Sequence, residues 1–330
     1  MDGSNLYRRL PGGVALAAGV LYAIGTALIW ALIPFWIRTA LGFVDPVSMS
    51  ALRLLGGGLI FALIARDRTP VFRLLQSRQT RRWVAIGAGA LALNHILFAA
   101  GLQWTTPTAG VISVQIQTVA ASALSWIVLG EAISLHKGAG MAAVIGGIVI
   151  VGWDGQDLSQ ILGSERSLGN LVMFAGGLLW GIYAVCQRRF SSPRTTGEGG
   201  AFPGYNPQDL LAPFFLLAGV FAVPVVAPFA ALRAPVSLPA VATLAALTVA
   251  GTVGGYYCLS QAMNRLPVAT AVTITNTAPL IVALISIVVY GEALSIYTVA
   301  GGALAVAGCA AAVRADAAQS PVATGATPGR

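Results

Sequence analysis

Apolar runs of about 20 residues, the length a helix needs to cross a bilayer core, alternate with short polar breaks along this chain. Read against their breakers, the runs predict ten helices. Five fall in the first half, at 14–37, 46–65, 83–102, 107–129 and 134–153, and five in the second, at 168–187, 207–228, 239–262, 267–290 and 294–313. Pro46, Pro107, Pro207, Pro239 and Pro267 stand at predicted first turns, where a missing N–H forfeits no helical hydrogen bond. The expected fold class is an all-α integral membrane protein of ten transmembrane helices.

The pattern also repeats. The stretch Gly130-Glu131-Ala132-Ile133-Ser134 returns as Gly291-Glu292-Ala293-Leu294-Ser295, 161 residues later. Laying 107–150 on 268–311 gives 11 identities in 44 positions, among them Ser125/Ser286, Gly140/Gly301 and Gly147/Gly308. A period of about half the chain indicates two duplicated halves rather than a solenoid of short units. Gly130 and Gly291 suit the residue just past a helix, and Ser134 and Ser295 suit N-caps of the next one. Glu131 and Glu292 then sit in tight turns, a structural placement.

Composition and charge sharpen this. Hydrophobic residues make up 57% of the chain and charged residues only 9%, against roughly 25% charge in a soluble domain, so lipid surrounds most of the surface. The net charge of +8 does not signal nucleic acid, because the basic residues cluster at the ends of apolar runs. With the N-terminus inside, 15 Lys and Arg fall on inside segments, 3 outside, and Arg53 within a helix; the opposite orientation would reverse the bias. Both termini are therefore expected in the cytoplasm. Five helices per half is odd, so the second half enters the membrane upside down, as an inverted repeat. The predicted organisation is a first five-helix repeat at 1–153, an extracytoplasmic linker at 154–167, a second, inverted repeat at 168–314, and a disordered tail at 315–330. Arg8-Arg9 before the first apolar run resembles a signal peptide, but the run is too long for one and reads as a retained helix. Segment 66–82 is the most basic loop, either an interfacial helix or a solvated loop, and the Gly, Ser and Pro of 191–205 read as a flexible insertion. Cys186, Cys258 and Cys309 lie inside apolar runs and read as buried free thiols.

The ten-helix count, the inverted halves and the Gly-Glu-Ala ending of helices four and nine together resemble the drug/metabolite transporter superfamily, in particular its EamA-type exporters. Further matching features are Asp45-Pro46 with Arg53, Trp30 and Trp180, TTPTAGV at 105–111, and TNTAPLIVALIS at 275–286 with Pro279. The likeness is closest to aromatic and neutral amino-acid exporters. It implies a bacterial inner-membrane protein with a cavity between two bundles, lined by helices one, three, four and their mates six, eight, nine. One departure stands out: the mate of Pro279 is Thr118, which puts the corresponding kink of helix four in question.

Polar residues inside a membrane are costly and face protein or water. The repeat pairs His95 with Tyr256, Gln115 with Asn276 and, by an offset of 150, Trp30 with Trp180. His95 binds a substrate carboxylate or carries a proton, or else is a neutral histidine bonded to a neighbouring helix. Gln115 and Asn276 either hold solute or join helices. Trp30, Trp180, Tyr183, Tyr256 and Phe98 form an apolar pocket wall or plain packing. Arg53 attracts anions or latches a gate, or snorkels to the outer interface. Pro34, Pro213 and Pro279 are the expected bending points. Helix interiors contain no Asp or Glu, which points to a neutral or zwitterionic, amino-acid-like solute, in a lipid environment. No phosphate loop, HExxH or metal-ligand cluster occurs, so no catalysis, cofactor or metal is expected. The expected function is secondary active or facilitative export of small amino acids or related metabolites by alternating access. The alternatives are an amphipathic drug or sugar-linked metabolite exporter of the same fold, and a passive channel.

Overall fold

A computed structural model describes residues 12–65, 67–157, 163–191, 194–195, 201–202, 204–226, 237–266 and 268–319. Its helices are α1 (Gly12–Ala40), α2 (Pro46–Ile64), α3 (Thr69–Gln76), α4 (Arg78–Gly101), α5 (Pro107–Val114), α6 (Ile116–Leu129) and α7 (Leu135–Trp153). There follow α8 (Glu165–Ser191), α9 (Leu211–Val226), α10 (Leu238–Ala245), a π-helical stretch (Ala246–Gly254), α11 (Gly255–Met263), α12 (Val268–Thr275), α13 (Ala278–Tyr290) and α14 (Ile296–Gln319). Among the described residues nine helical spans are long and apolar enough to cross a membrane, and α9 is a further, shorter apolar helix. Two-residue strands pair antiparallel, Arg194 opposite Phe202, inside the segment expected to be a flexible loop.

Local chemistry explains most ends. The Asp45 carboxylate caps α2 by accepting from the Val47 and Ser48 amides, both at 2.9 Å, and Pro46 occupies the first turn. Gly130 and Gly291 end α6 and α13 in the left-handed region, at φ 71° and 63°. Glycine takes that backbone conformation without the strain a Cβ brings. Ser134 caps α7 through the Lys137 amide, and Ser295 caps α14 through the Thr298 amide. Glu131 pairs with Arg188 at 3.0 Å and Glu292 accepts from Thr108 at 3.1 Å, so each turn glutamate is tied to another helix.

Several boundaries differ from the sequence expectation for physical reasons. The basic turn Arg78–Arg82 continues α4 below its apolar run, since a polar surface does not stop a helix. Segment 69–76 is a helix with Phe72 exposed and Leu74 buried. Asp67, just before it, accepts from the Thr69 hydroxyl and amide, and those bonds hold its carboxyl below the usual carboxylate range. Helix α14 runs to Gln319, past the expected start of the tail; residues 320–330 lie outside the described residues, as does Pro267. The expected helices four and nine are both interrupted. The first breaks at Gln115, the second at Asn276-Thr277. Thr118 therefore does not abolish the interruption: a tight turn from the Thr118 amide to the Gln115 carbonyl at 3.1 Å replaces the proline.

The packing is paired. Helix α4 lies along α8 as α11 and the π stretch lie along α1; α6 and α5 contact α8 as α12 and α13 contact α1. Helix α9 touches α4 as α2 touches the π stretch, while α2 with α9 and α7 with α14 form extensive seams. In the α7/α14 seam the helices run antiparallel, with Gly140 against Gly308 and Gly147 against Gly301. A Cβ on Gly308 would lie 2.6 Å from the Gly140 carbonyl oxygen and one on Gly301 2.6 Å from that of Gly147. Only glycine permits this approach, the usual basis of close helix crossings in lipid.

Candidate functional site

The largest buried cluster joins α2, α4, α8 and α9. Its centre is Phe215, fully buried on α9. Around that ring stand Tyr256 at 5.1 Å, Phe61 at 5.2 Å, His95 at 6.0 Å and Tyr183 at 6.5 Å between centroids, all edge-on. Trp30 meets Tyr256 at 5.4 Å and Trp180 meets Tyr183 at 6.3 Å. Edge-to-face rings at these separations attract through their quadrupoles beyond their packing. Aromatic side chains from α1, α2, α8, α9 and α11 thus converge on one point, with His95 of α4 among them. Gly255 lets α1 approach, since a Cβ there would sit 2.7 Å from Trp30 Cδ1.

Arg53 enters the cluster from α2. It is 7% exposed, and its Nε donates to Thr252 Oγ1 at 3.0 Å. Snorkelling to the outer interface is therefore not what the side chain does. Thr252 in turn donates to the Leu247 carbonyl at 3.1 Å, five residues back, which is the π spacing of Ala246–Gly254. Such π segments are frequent at functional sites. Gly57, one turn further along α2, lies against both Thr252 and Phe215: a Cβ there would sit 3.1 Å from Thr252 Cγ2 and 3.8 Å from Phe215 Cδ1. His95 Nδ1 is 3.0 Å from the Leu91 carbonyl. A carbonyl only accepts, so Nδ1 carries the proton and Nε2 of the neutral ring keeps its lone pair. The Tyr183 hydroxyl is fully buried without a hydrogen-bond partner.

Six predicted residues thus come together: Trp30, Arg53, His95, Trp180, Tyr183 and Tyr256. Three do not join them. Gln115 directs its amide to Cys309 Sγ of α14 at 3.4 Å, with the Thr118 hydroxyl at 3.5 Å from the same sulfur. It serves a helix seam. Phe98 packs on a separate cluster with Ile37, Val114 and Met173. Asn276 lies at the α12/α13 break with its side-chain nitrogen buried and unpartnered. Repeat mates Gln115 and Asn276 therefore share a place, the interruption of their helices, rather than a pocket.

The prolines divide similarly. Pro34 is inside α1, where it deprives the Trp30 carbonyl of its helical donor. Pro279 stands in the first turn of α13 and starts a half-helix instead of kinking a continuous one. Pro213 lies in the first turn of α9, whose internal proline is Pro224, so the expected bend at Pro213 has no missing bond behind it. Of the cysteines, Cys186 and Cys309 are buried and Cys258 is half-buried. Sequence reasoning missed Phe215 and Phe61. The Phe214-Phe215 pair was their signal, but apolar rings in apolar runs carry no periodic mark.

The EamA-like transporter family profile matches this chain over residues 17–153 and again over 167–314. An "Uncharacterized inner membrane transporter YhbE" of Escherichia coli is 26% identical over 184 residues; the match spans 53% of this chain and 57% of that protein, little more than half its length. An "Uncharacterized transporter" of Archaeoglobus fulgidus is 26% identical over 86% of this chain and 93% of its own. A solved crystal structure with 21% sequence identity superposes with a TM-score of 0.60, covering 90% of this chain and 97% of the other. That likeness concerns the fold alone.

Proposed function

The chain belongs to the EamA-like transporter family, and from that premise we propose that it is a ten-span inner-membrane carrier. It exports small amino acids or related metabolites by alternating access. The two halves are five-helix repeats, 1–153 and 168–314, inserted with opposite orientation and with both termini in the cytoplasm.

Two observations support the inverted repeat. The contact Gly140–Gly308 becomes Gly301–Gly147 when each residue is exchanged for its repeat mate. Self-exchange of this kind is what a two-fold axis produces, and an antiparallel seam places that axis in the membrane plane. The paired contacts α4/α8 with α11/α1 have the same form. Orientation rests on the Lys and Arg bias.

The observation that carries the solute site is the convergence of His95 and its mate Tyr256 on the Phe215 ring, edge-on at 6.0 and 5.1 Å between centroids. Rings there offer an apolar wall, while Arg53, His95 and Tyr183 offer polar atoms. Most binding sites for small molecules have that division. Pro34 and the breaks at Gln115 and Asn276 weaken the helices that would have to bend. The test is counterflow in proteoliposomes with a panel of neutral amino acids. Saturable exchange that falls in His95→Ala and Tyr256→Ala supports the site; exchange unaffected by both substitutions sinks it.

A further inference from the structure

Among the described residues Arg53 has no carboxylate within ion-pair distance. No helix that packs on it carries an Asp or Glu in its interior, and its partner in the structure is the neutral Thr252 hydroxyl through Nε. That bond uses Nε and leaves Nη1 and Nη2, the edge that meets a carboxylate side-on, outside it. A buried charge is expensive unless it is paired and hydrogen-bonded, and surface exposure of 7% gives it little water. On the Phe215 ring that His95 and Tyr183 share, the Tyr183 hydroxyl is enclosed and unpartnered, and the Leu91 bond leaves His95 Nε2 as an acceptor. The fold thus brings together a guanidinium fork, a lone pair and a ring of aromatic side chains.

We propose that Arg53 binds the carboxylate of the solute, and that His95 Nε2 accepts from its ammonium group, with the rings around Phe215 enclosing the side chain. This rests on the carrier reading above and specifies its substrate as a zwitterion. A planar fork fits a carboxylate through two parallel hydrogen bonds, and one guanidinium balances one negative charge. Thr252 fixes the fork by holding Nε, so the π turn that presents Thr252 positions the anion site. Amines lacking the carboxylate leave Arg53 uncompensated; carboxylates lacking the ammonium leave His95 unused. Both are therefore weaker ligands than the amino acid.

The experiment measures binding by thermal shift of the full chain in detergent, with L-phenylalanine, 3-phenylpropionate and phenethylamine as probes, alongside counterflow of labelled phenylalanine. The wild type is expected to bind in that order. Arg53→Gln should weaken the two carboxylates by roughly 10- to 100-fold and leave phenethylamine unchanged, while Arg53→Lys falls between. His95→Phe should close the gap between phenylalanine and phenylpropionate. If Arg53→Gln does not fold, Thr252→Val, which frees the fork without removing it, should still cost the carboxylates several-fold and spare the amine. Equal affinity of the wild type for all three probes, no binding of any, or equal loss for carboxylate and amine in the variants overturns the proposal. Carboxylate binding that depends on Arg53 without any counterflow leaves the anion site standing and removes the carrier reading instead.

Discussion

Gly147→Ala at the α7/α14 seam is predicted to destabilise the fold far more than Gly146→Ala one residue away. At Gly147 a new Cβ would lie 2.7 Å from the Ala305 backbone nitrogen and 2.8 Å from the Ala305 Cβ. Backbone atoms cannot rotate aside, so the helices must part by roughly 0.5–1 Å, which forfeits a quarter to a half of the dispersion energy along the opened contact. Overpacking of that kind costs about 1–3 kcal/mol, and in lipid no hydrophobic driving force between helices offsets it. At Gly146 the nearest outside atom is Leu304 Cδ2 at 3.6 Å, an ordinary contact with a side-chain end. Alanine there should be neutral or slightly stabilising, because it is the better helix former. Thermal unfolding of the two purified variants in one detergent checks this. Equal melting temperatures for Gly146→Ala and Gly147→Ala would refute the close crossing and, with it, the main support for the inverted repeat.

Phe215→Ala removes the ring shared by His95, Tyr183 and Tyr256 and should cost about 3 kcal/mol in thermal stability, with exchange lost in whatever folds. Pro34→Ala restores the donor to the Trp30 carbonyl; a higher melting temperature and slower counterflow are expected, whereas Pro213→Ala, in a first turn, should change neither by a measurable amount. Glu131→Gln breaks a half-exposed ion pair with Arg188 and should cost about 0.2–1 kcal/mol, a difference that disappears when unfolding is repeated at high salt.

Most spans were legible because apolar run length and proline position act locally. The Gly-Glu-Ala turns were legible for the same reason: left-handed Gly130 and Gly291 and capping Ser134 and Ser295 are set by their own backbone. The interruption of helix four was not, because Gln115 is an ordinary helix former and the turn there depends on neighbouring helices. Repeat symmetry paired Gln115 with Asn276, and both lie at an interruption of their helices, but it left their roles open, since equal depth does not fix which way a side chain faces. Gln115 turned to Cys309 instead. Arg53 shows the converse: its charge was visible, but its direction depended on Thr252, 199 residues away, and on a π turn that no periodicity announces. The hub Phe215 was invisible for want of anything polar about it.

The central claim is that this chain is a carrier that exposes one solute site to each side in turn. Trans-stimulation tests it most directly. Proteoliposomes holding the purified protein are loaded with unlabelled amino acid, and the initial uptake of the labelled form is measured against its concentration outside. Uptake that saturates and rises several-fold with solute on the far side is the predicted result. Flux that grows linearly with concentration and ignores the far side would contradict it, and would identify an open pore.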